Sequence, residues 1–310
     1  MSARPRLLLS MGLRDPGPQL SPRLRILDPE RGAIVREGRL TASHPPPDGD
    51  QAASPCLADG MLWQPTRTAI HRVDPDTLQS EQVLTHPLFH DLHSVAPGAQ
   101  GWLVTCTGHE TVVEITSDGD LVERFSLGRP IDVERDYRTL PHDALKPHDV
   151  HPNQAFLLED RRWVTCLGTA RCQGLDHDGE LDLGPGMPHD GVLREGLLWF
   201  TTTAGRVMGL DPHTGLREVE LDLPAMEQGT GAFGWCRGIE VVGDTAWVGV
   251  TMLRSSAWRE TARELVWGAR GKRQPTRVLE IDWRHGRMKG RFDGVGHEGE
   301  GVIYGITAVG

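Results

Sequence analysis

Apolar and polar positions alternate with a period of two along most of the chain, in short runs that close on Asp or Gly. Six of these runs share one plan: an apolar strand ending in Asp, a turn, then a charged alternating strand. They read RLRILDPERGAIVREG (23–38), TAIHRVDPDTLQSEQV (68–83), TVVEITSDGDLVERF (111–125), RCQGLDHDGELDL (171–183), GRVMGLDPHTGLREVEL (205–221) and TRVLEIDWRHGRMKGRF (276–292). Successive strand side chains face opposite sides, so this period predicts strands. Asp-Pro-x-x-Gly and Asp-Gly supply the positive-φ corners that a hairpin needs. Ahead of most hairpins lies a Trp-bearing strand: GMLWQPT, GWLVTCT, RWVTCLG, LLWFTTT and TAWVGVT. A shorter apolar strand precedes each of those. Six four-stranded units at irregular spacings of roughly forty residues predict an all-β chain folded as a six-bladed β-propeller, since a sandwich has no fourfold repeat.

The ends of the chain fit the same plan. RPRLLLSMG (4–12) has no inner strand before it, and the tail GEGVIYGITAVG (299–310) has no hairpin after it. Gly301–Val309 is therefore expected as the inner strand of the first blade, closing the ring and removing a sheet edge. All 310 residues then form one domain with two interruptions, a polar connection at 128–146 and a stretch at 252–275 with the pattern of a short amphipathic helix.

A formal charge of −10 and the lack of a basic run argue against a nucleic-acid partner. No apolar run approaches the length of a membrane helix, and the first residues lack a signal-peptide pattern, so a cytoplasmic protein is expected. Five cysteines without a CxxC pair fit reduced thiols. Cys106 and Cys166, in matching LVTC and WVTC strands, are expected to pack as apolar side chains.

The informative chemistry is histidine. FHDLHSV (89–95), LPHDALKPHDVHPNQ (140–154) and MPHDGV (187–192) each lie just before an inner strand, where successive blades converge on the propeller axis. This register offers His90 and His93 from the third blade, His148 and His151 from the fourth, and His189 from the fifth. The sixth contributes Cys236, Arg237 and Glu240 in GWCRGIEV; the closing blade contributes His297, Glu300 and Tyr304 in HEGEGVIYG. His93, His148 and His189 are the expected metal ligands, with His90 and His151 able to exchange roles with them. Arg237 is the candidate substrate-anion anchor, with Glu240 and Tyr304 as further catalytic candidates. Asp91, Asp149 and Asp190 follow their histidines in strands and are expected to orient them. His142 lies outside the register. His71, His177, His213 and His285 lie near hairpin turns and are expected to be solvated, and the strand tryptophans to pack between blades.

PHDGVLREGLLWFTT and KPHDVHPNQ resemble the inner-strand approaches of the gluconolactonase and regucalcin propellers, and LWFTTTAGRV resembles virginiamycin B lyase. The resemblance implies a metal-dependent propeller enzyme whose characteristic asparagine, a ligand to a divalent ion such as calcium, corresponds by position to His148 and His189. Histidine in its place moves the expected ion from calcium to iron, zinc, copper or manganese. A His-lined axis is also similar to the iron-binding carotenoid cleavage oxygenases, which are longer and seven-bladed.

Three neutral imidazoles leave a divalent ion open positions for water and substrate. Such a centre serves hydrolysis or elimination on a small molecule, or oxygenase chemistry with iron. The other reading is a non-catalytic propeller that binds protein, because this fold hosts both.

Overall fold

The computed structural model describes residues 4–13, 22–227, 233–253, 274–296 and 301–310. It contains six antiparallel four-stranded sheets. From the inside outward, blade one is Gly301–Val309, Arg6–Leu13, Arg23–Asp28 and Ala33–Arg39. The chain end thus pairs with the chain start, Leu8 opposite Thr307 and Leu13 opposite Gly301. The inner strands of blades two to six are Cys56–Ala58, Leu92–Pro97, Pro152–Leu158, Pro188–Arg194 and Trp235–Val242. All six hairpins read from the sequence form outer strand pairs.

Local chemistry explains the hairpins. The Asp28 carboxylate accepts from the amides of Glu30 and Arg31 at 3.0 and 3.1 Å, and Asp74 and Asp211 repeat this with their own turns. The aspartate side chain thereby replaces a backbone turn bond. The chain then returns through a left-handed residue, Gly32 at φ 63° or Gly215 at φ 70°, where a side chain would be strained.

Burial follows position within each blade. Trp102–Cys106 is buried throughout, whereas the outermost strand Leu121–Ser126 is exposed except for two half-buried residues. Middle strands have a neighbouring blade on each face, so they read as continuous apolar runs; outer strands face water on one side. Six apolar clusters result, one at every junction between neighbouring blades. Trp63 of blade two lies against Trp102 of blade three with ring centroids 4.1 Å apart, the inter-blade role expected of the tryptophans. Cys106 and Cys166 are buried as expected, and all five thiols are free. His71 departs from expectation: it is 1% exposed, because the face of its strand covers it, and burial lowers its pKa to about 4.

The 128–146 connection carries one short 3₁₀ turn, Tyr137–Thr139, and packs Tyr137 into the junction between blades two and three. The helix expected within 252–275 lies for the most part outside the described residues, as do His297 and Glu300. Among the described residues no helix is long and apolar enough to cross a membrane.

Candidate functional site

Every inner strand except the three-residue one of blade two contains a bulge, and the bulges decide which side chains reach the axis. A bulge leaves a residue unpaired and re-aims its side chain. His93 is passed over between the Leu92 and Ser94 pairs, and Asn153 between the Pro152 and Gln154 pairs. Gly191, then Arg237 with Gly238, then Tyr304 are passed over in the next three blades. His93, Asn153, Arg237 and Tyr304 line a chamber of about 10 Å³, together with His189 and Asp190. That is room for about one water. The chamber adjoins a cavity of about 490 Å³, which His93, His189, Arg237 and Tyr304 also line, joined there by Arg67, Asp91, His142, Lys146 and His151.

Three blade mouths turn through left-handed residues, Asp91 at φ 48°, His151 at φ 52° and Asp190 at φ 65°. Asp and His tolerate this region better than most residues. The repeated His-Asp therefore has a backbone cause, since aspartate supplies the corner. By their left-handed conformation Asp91, His151 and Asp190 correspond, and on that count the match of His148 with His189 through Pro-His-Asp does not hold. His148 precedes the corner by three residues and meets the axis through His151, the two Nδ1 atoms standing 2.9 Å apart. Asp149, expected to orient it, is exposed and pairs with Arg129 at 3.8 Å.

Around the axis the rings are close. His93 and His151 centroids are 5.1 Å apart, and those of His148 and His151 are 5.0 Å apart. His93 Nδ1 donates to Asn153 Oδ1 at 3.1 Å, and its Nε2 lies 3.7 Å from Asp91 Oδ2. Such an amide contact fixes both tautomer and ring plane. His189 is 2% exposed, and its buried Nε2 has no hydrogen-bond partner. Burial, then the Arg237 charge and the other imidazoles, hold its pKa well below the imidazole range. Burial and neighbouring His93, His148 and Arg237 bring His151 to about 2. Both rings are neutral at physiological pH.

The other sequence candidates divide. The Arg237 guanidinium lies 4.7 Å over the Tyr304 ring, whose hydroxyl donates to Gln51 Oε1 at 2.9 Å. Glu240, by contrast, ties blades together away from the cavity: it accepts from Arg194 Nε at 2.5 Å and from the Ala308 amide at 3.2 Å. His90 also turns away. Its Nε2 lies 3.1 Å from the Pro141 carbonyl and its ring lies near those of His109 and Tyr137, under the 128–146 connection. Blade three's inner strand begins only at Leu92, so His90 is still loop, while blade five's begins at Pro188 and carries His189 to the axis.

Sequence reading missed Glu110, Asn153 and Arg67. Glu110 accepts from the amides of Val150 and His151 at 2.5 and 2.9 Å and so holds the fourth mouth. Asn153 lay inside the quoted histidine fragment, but only the bulge reveals its direction. Nothing in sequence marks Arg67, which arrives from the turn of another blade.

The donor set at the axis suits a transition ion, with imidazole nitrogens from three blades, one of them buried and unpartnered. The rings surround the cavity and are not drawn together: among the described residues, the group of three His, Cys, Asp or Glu side chains with all ligating atoms within 4.8 Å is Asp48, His142 and Asp143, half-buried to exposed.

These features define a six-bladed propeller with a polar, histidine-lined axial cavity. No protein-family model and no curated protein matches the chain. Among solved structures it is similar to a protein of unknown function from Bacteroides caccae, with 15% identity, a TM-score of 0.62 and 98% of each chain covered. It is similar to a chain of a nidogen/laminin complex at 12% identity and TM-score 0.54, covering 98% of this chain and 97% of that one. The WD40 propeller domain of Doa1 follows at 11% and 0.51, covering 98% and 86%. At these identities the likeness shows the fold alone.

Proposed function

We propose that the chain is a metal-dependent enzyme acting on a small molecule in the axial cavity. The observation that carries this reading is the buried, unpartnered Nε2 of His189, on a ring held neutral in a cavity that His93 and His151 also line. An orphaned buried nitrogen costs free energy on the order of 1–3 kcal/mol, and a ligand would repay it. His93, His151 and His189 would hold the ion, with His148 behind His151. A divalent iron, zinc, copper or manganese ion there would polarise a carbonyl or acidify water. The resemblance of the blade motifs to those of metal-dependent propellers supports the same reading.

The chain's own groups do the rest. The Asn153 amide holds the His93 ring in place through Nδ1. Arg237, its guanidinium 4.7 Å from the Tyr304 ring centroid, would engage a substrate anion.

Elemental analysis of untagged protein purified without chelator tests the reading. We expect one transition ion per chain, lost in His93→Ala, His151→Ala and His189→Ala variants that keep their circular dichroism. Metal-free protein whose unfolding is unchanged by chelator would instead favour the protein-binding propeller.

A further inference from the structure

Resting on the reading of His151 as a metal ligand, we propose that Glu110 is the positioning residue for that ligand, and that the bare backbone of Gly128 is what lets its carboxylate reach the fourth mouth. The affinity for the ion is then set in part from blade three, where the 128–146 connection begins.

Backbone conformation is the first argument. Of the three proposed ligands only His151 is itself a left-handed residue, at φ 52°. The direction of its imidazole therefore depends on keeping that φ. A residue held in this region costs about 1–3 kcal/mol and persists only where its surroundings impose it. Two sets of bonds do so here. Blade four's own loop holds the carbonyl side, with the Leu167 and Gly168 amides donating to the His151 and Val150 carbonyls at 3.0 and 2.8 Å. The amide side is held from blade three, where Glu110 Oε1 accepts from Val150 and His151 at 2.5 and 2.9 Å. Without that acceptor both amides are released, the corner can relax to negative φ, and the ring swings away from His93 and His148.

Space is the second. Glu110 is buried at the end of the 3₁₀ turn Thr107–His109, and its carbonyl accepts from the Leu127 amide at 2.9 Å. That bond brings the next residue against the carboxylate: a Cβ on Gly128 would lie 2.1 Å from Glu110 Oε2. Gly128 is not left-handed, so its lack of a side chain serves this close approach and not a turn. The bracing recurs one junction further round, where the Asp190 carboxylate of blade five accepts from the Gly238 amide of blade six at 3.1 and 3.2 Å.

Three variants test this: Glu110→Ala, Glu110→Gln and Gly128→Ala. Zinc affinity is read by competition with a chromophoric chelator, and the imidazoles by nitrogen NMR of the histidine side chains in metal-free protein. Glu110→Ala should lose about ten- to hundredfold in affinity, the usual effect of removing a group that orients a ligand. Its His148 and His151 Nδ1 resonances should move, because the 2.9 Å contact between those atoms depends on where His151 points. Glu110→Gln keeps an oxygen for the two amides and should stay nearer the parent in both readouts. Gly128→Ala, which must displace the carboxylate, should move both in the direction of Glu110→Ala. Parental affinity and resonances in either alanine variant would overturn the proposal, as would Glu110→Gln behaving no better than Glu110→Ala. If Glu110→Ala does not fold, the other two variants decide. Parent protein that binds no zinc removes His151 as a ligand, while the resonances of the metal-free variants still decide whether Glu110 positions it.

Discussion

Blades three and five open with the same dipeptide, His90-Asp91 and His189-Asp190, with the aspartate left-handed in both. Their chemistry is opposite. Burial would raise the Asp91 pKa, but the His93 imidazole at 3.7 Å and the charges of Arg67 and Lys146 outweigh it and hold the carboxyl well below its ordinary range. At 3.7 Å the His93 contact is electrostatic, too long for a hydrogen bond. For Asp190 burial wins: the Thr201 hydroxyl, Arg237 and the Gly238 amide only partly offset it, and the pKa rises to about 6. The histidines differ as well, one packed under a connection and the other on the axis. A repeated motif thus fixes a backbone corner, and neighbours from other blades decide the charge.

The largest expected effect separates the two aspartates. Asp91→Asn leaves buried Arg67 with Asp48 at 3.6 Å as its remaining ion-pair partner in place of two, and should cost about 3 kcal/mol in urea unfolding at pH 7. Asp190→Asn keeps an acceptor for Thr201 or Gly238 and should cost about 1 kcal/mol or less. Equal losses would erase the contrast.

The second effect is a pH dependence of opposite sign. Asp190, with its folded pKa raised, contributes stability that is complete below the ordinary carboxyl pKa and is lost as pH rises through about 6. The depressed Asp91 contributes stability present above that ordinary value and lost as pH falls. Between pH 4 and 7 the stability of Asp190→Asn should therefore gain on the parent by up to about 3 kcal/mol, two units at 1.36 kcal/mol each. A pH-independent gap between the two proteins would show that Asp190 titrates normally.

The smallest effect separates the histidines. His90→Ala removes the contact to the Pro141 carbonyl and should cost about 1 kcal/mol, with faster amide exchange in 132–142 and metal content unchanged. His189→Ala should leave that exchange as it was. Faster exchange in both variants would mean that His189 also supports the connection.

The blades were legible because their signals are local. Alternation, the Asp-Pro-x-x-Gly corners and the Trp strands each act within about ten residues, and the C-terminal strand at Gly301–Val309 followed from counting strands. The site was legible only in part. His93, His189, Arg237 and Tyr304 line the cavity as expected, whereas His90 and Glu240 do not. Trp spacing and the Pro-His-Asp match disagreed over blade four because both assume straight pairing, and bulges break it.

By itself, then, the sequence determined the six blades, the closing strand and the neighbourhood of the axis, since these depend on period, turn chemistry and order along the chain. The tertiary structure alone decided that Asn153 orients His93, that Arg67 faces Asp91, that Glu240 belongs to Arg194, and that two identical dipeptides carry opposite charge behaviour. Each of these depends on a partner from another blade, and on a one-residue bulge that sets which way a side chain points.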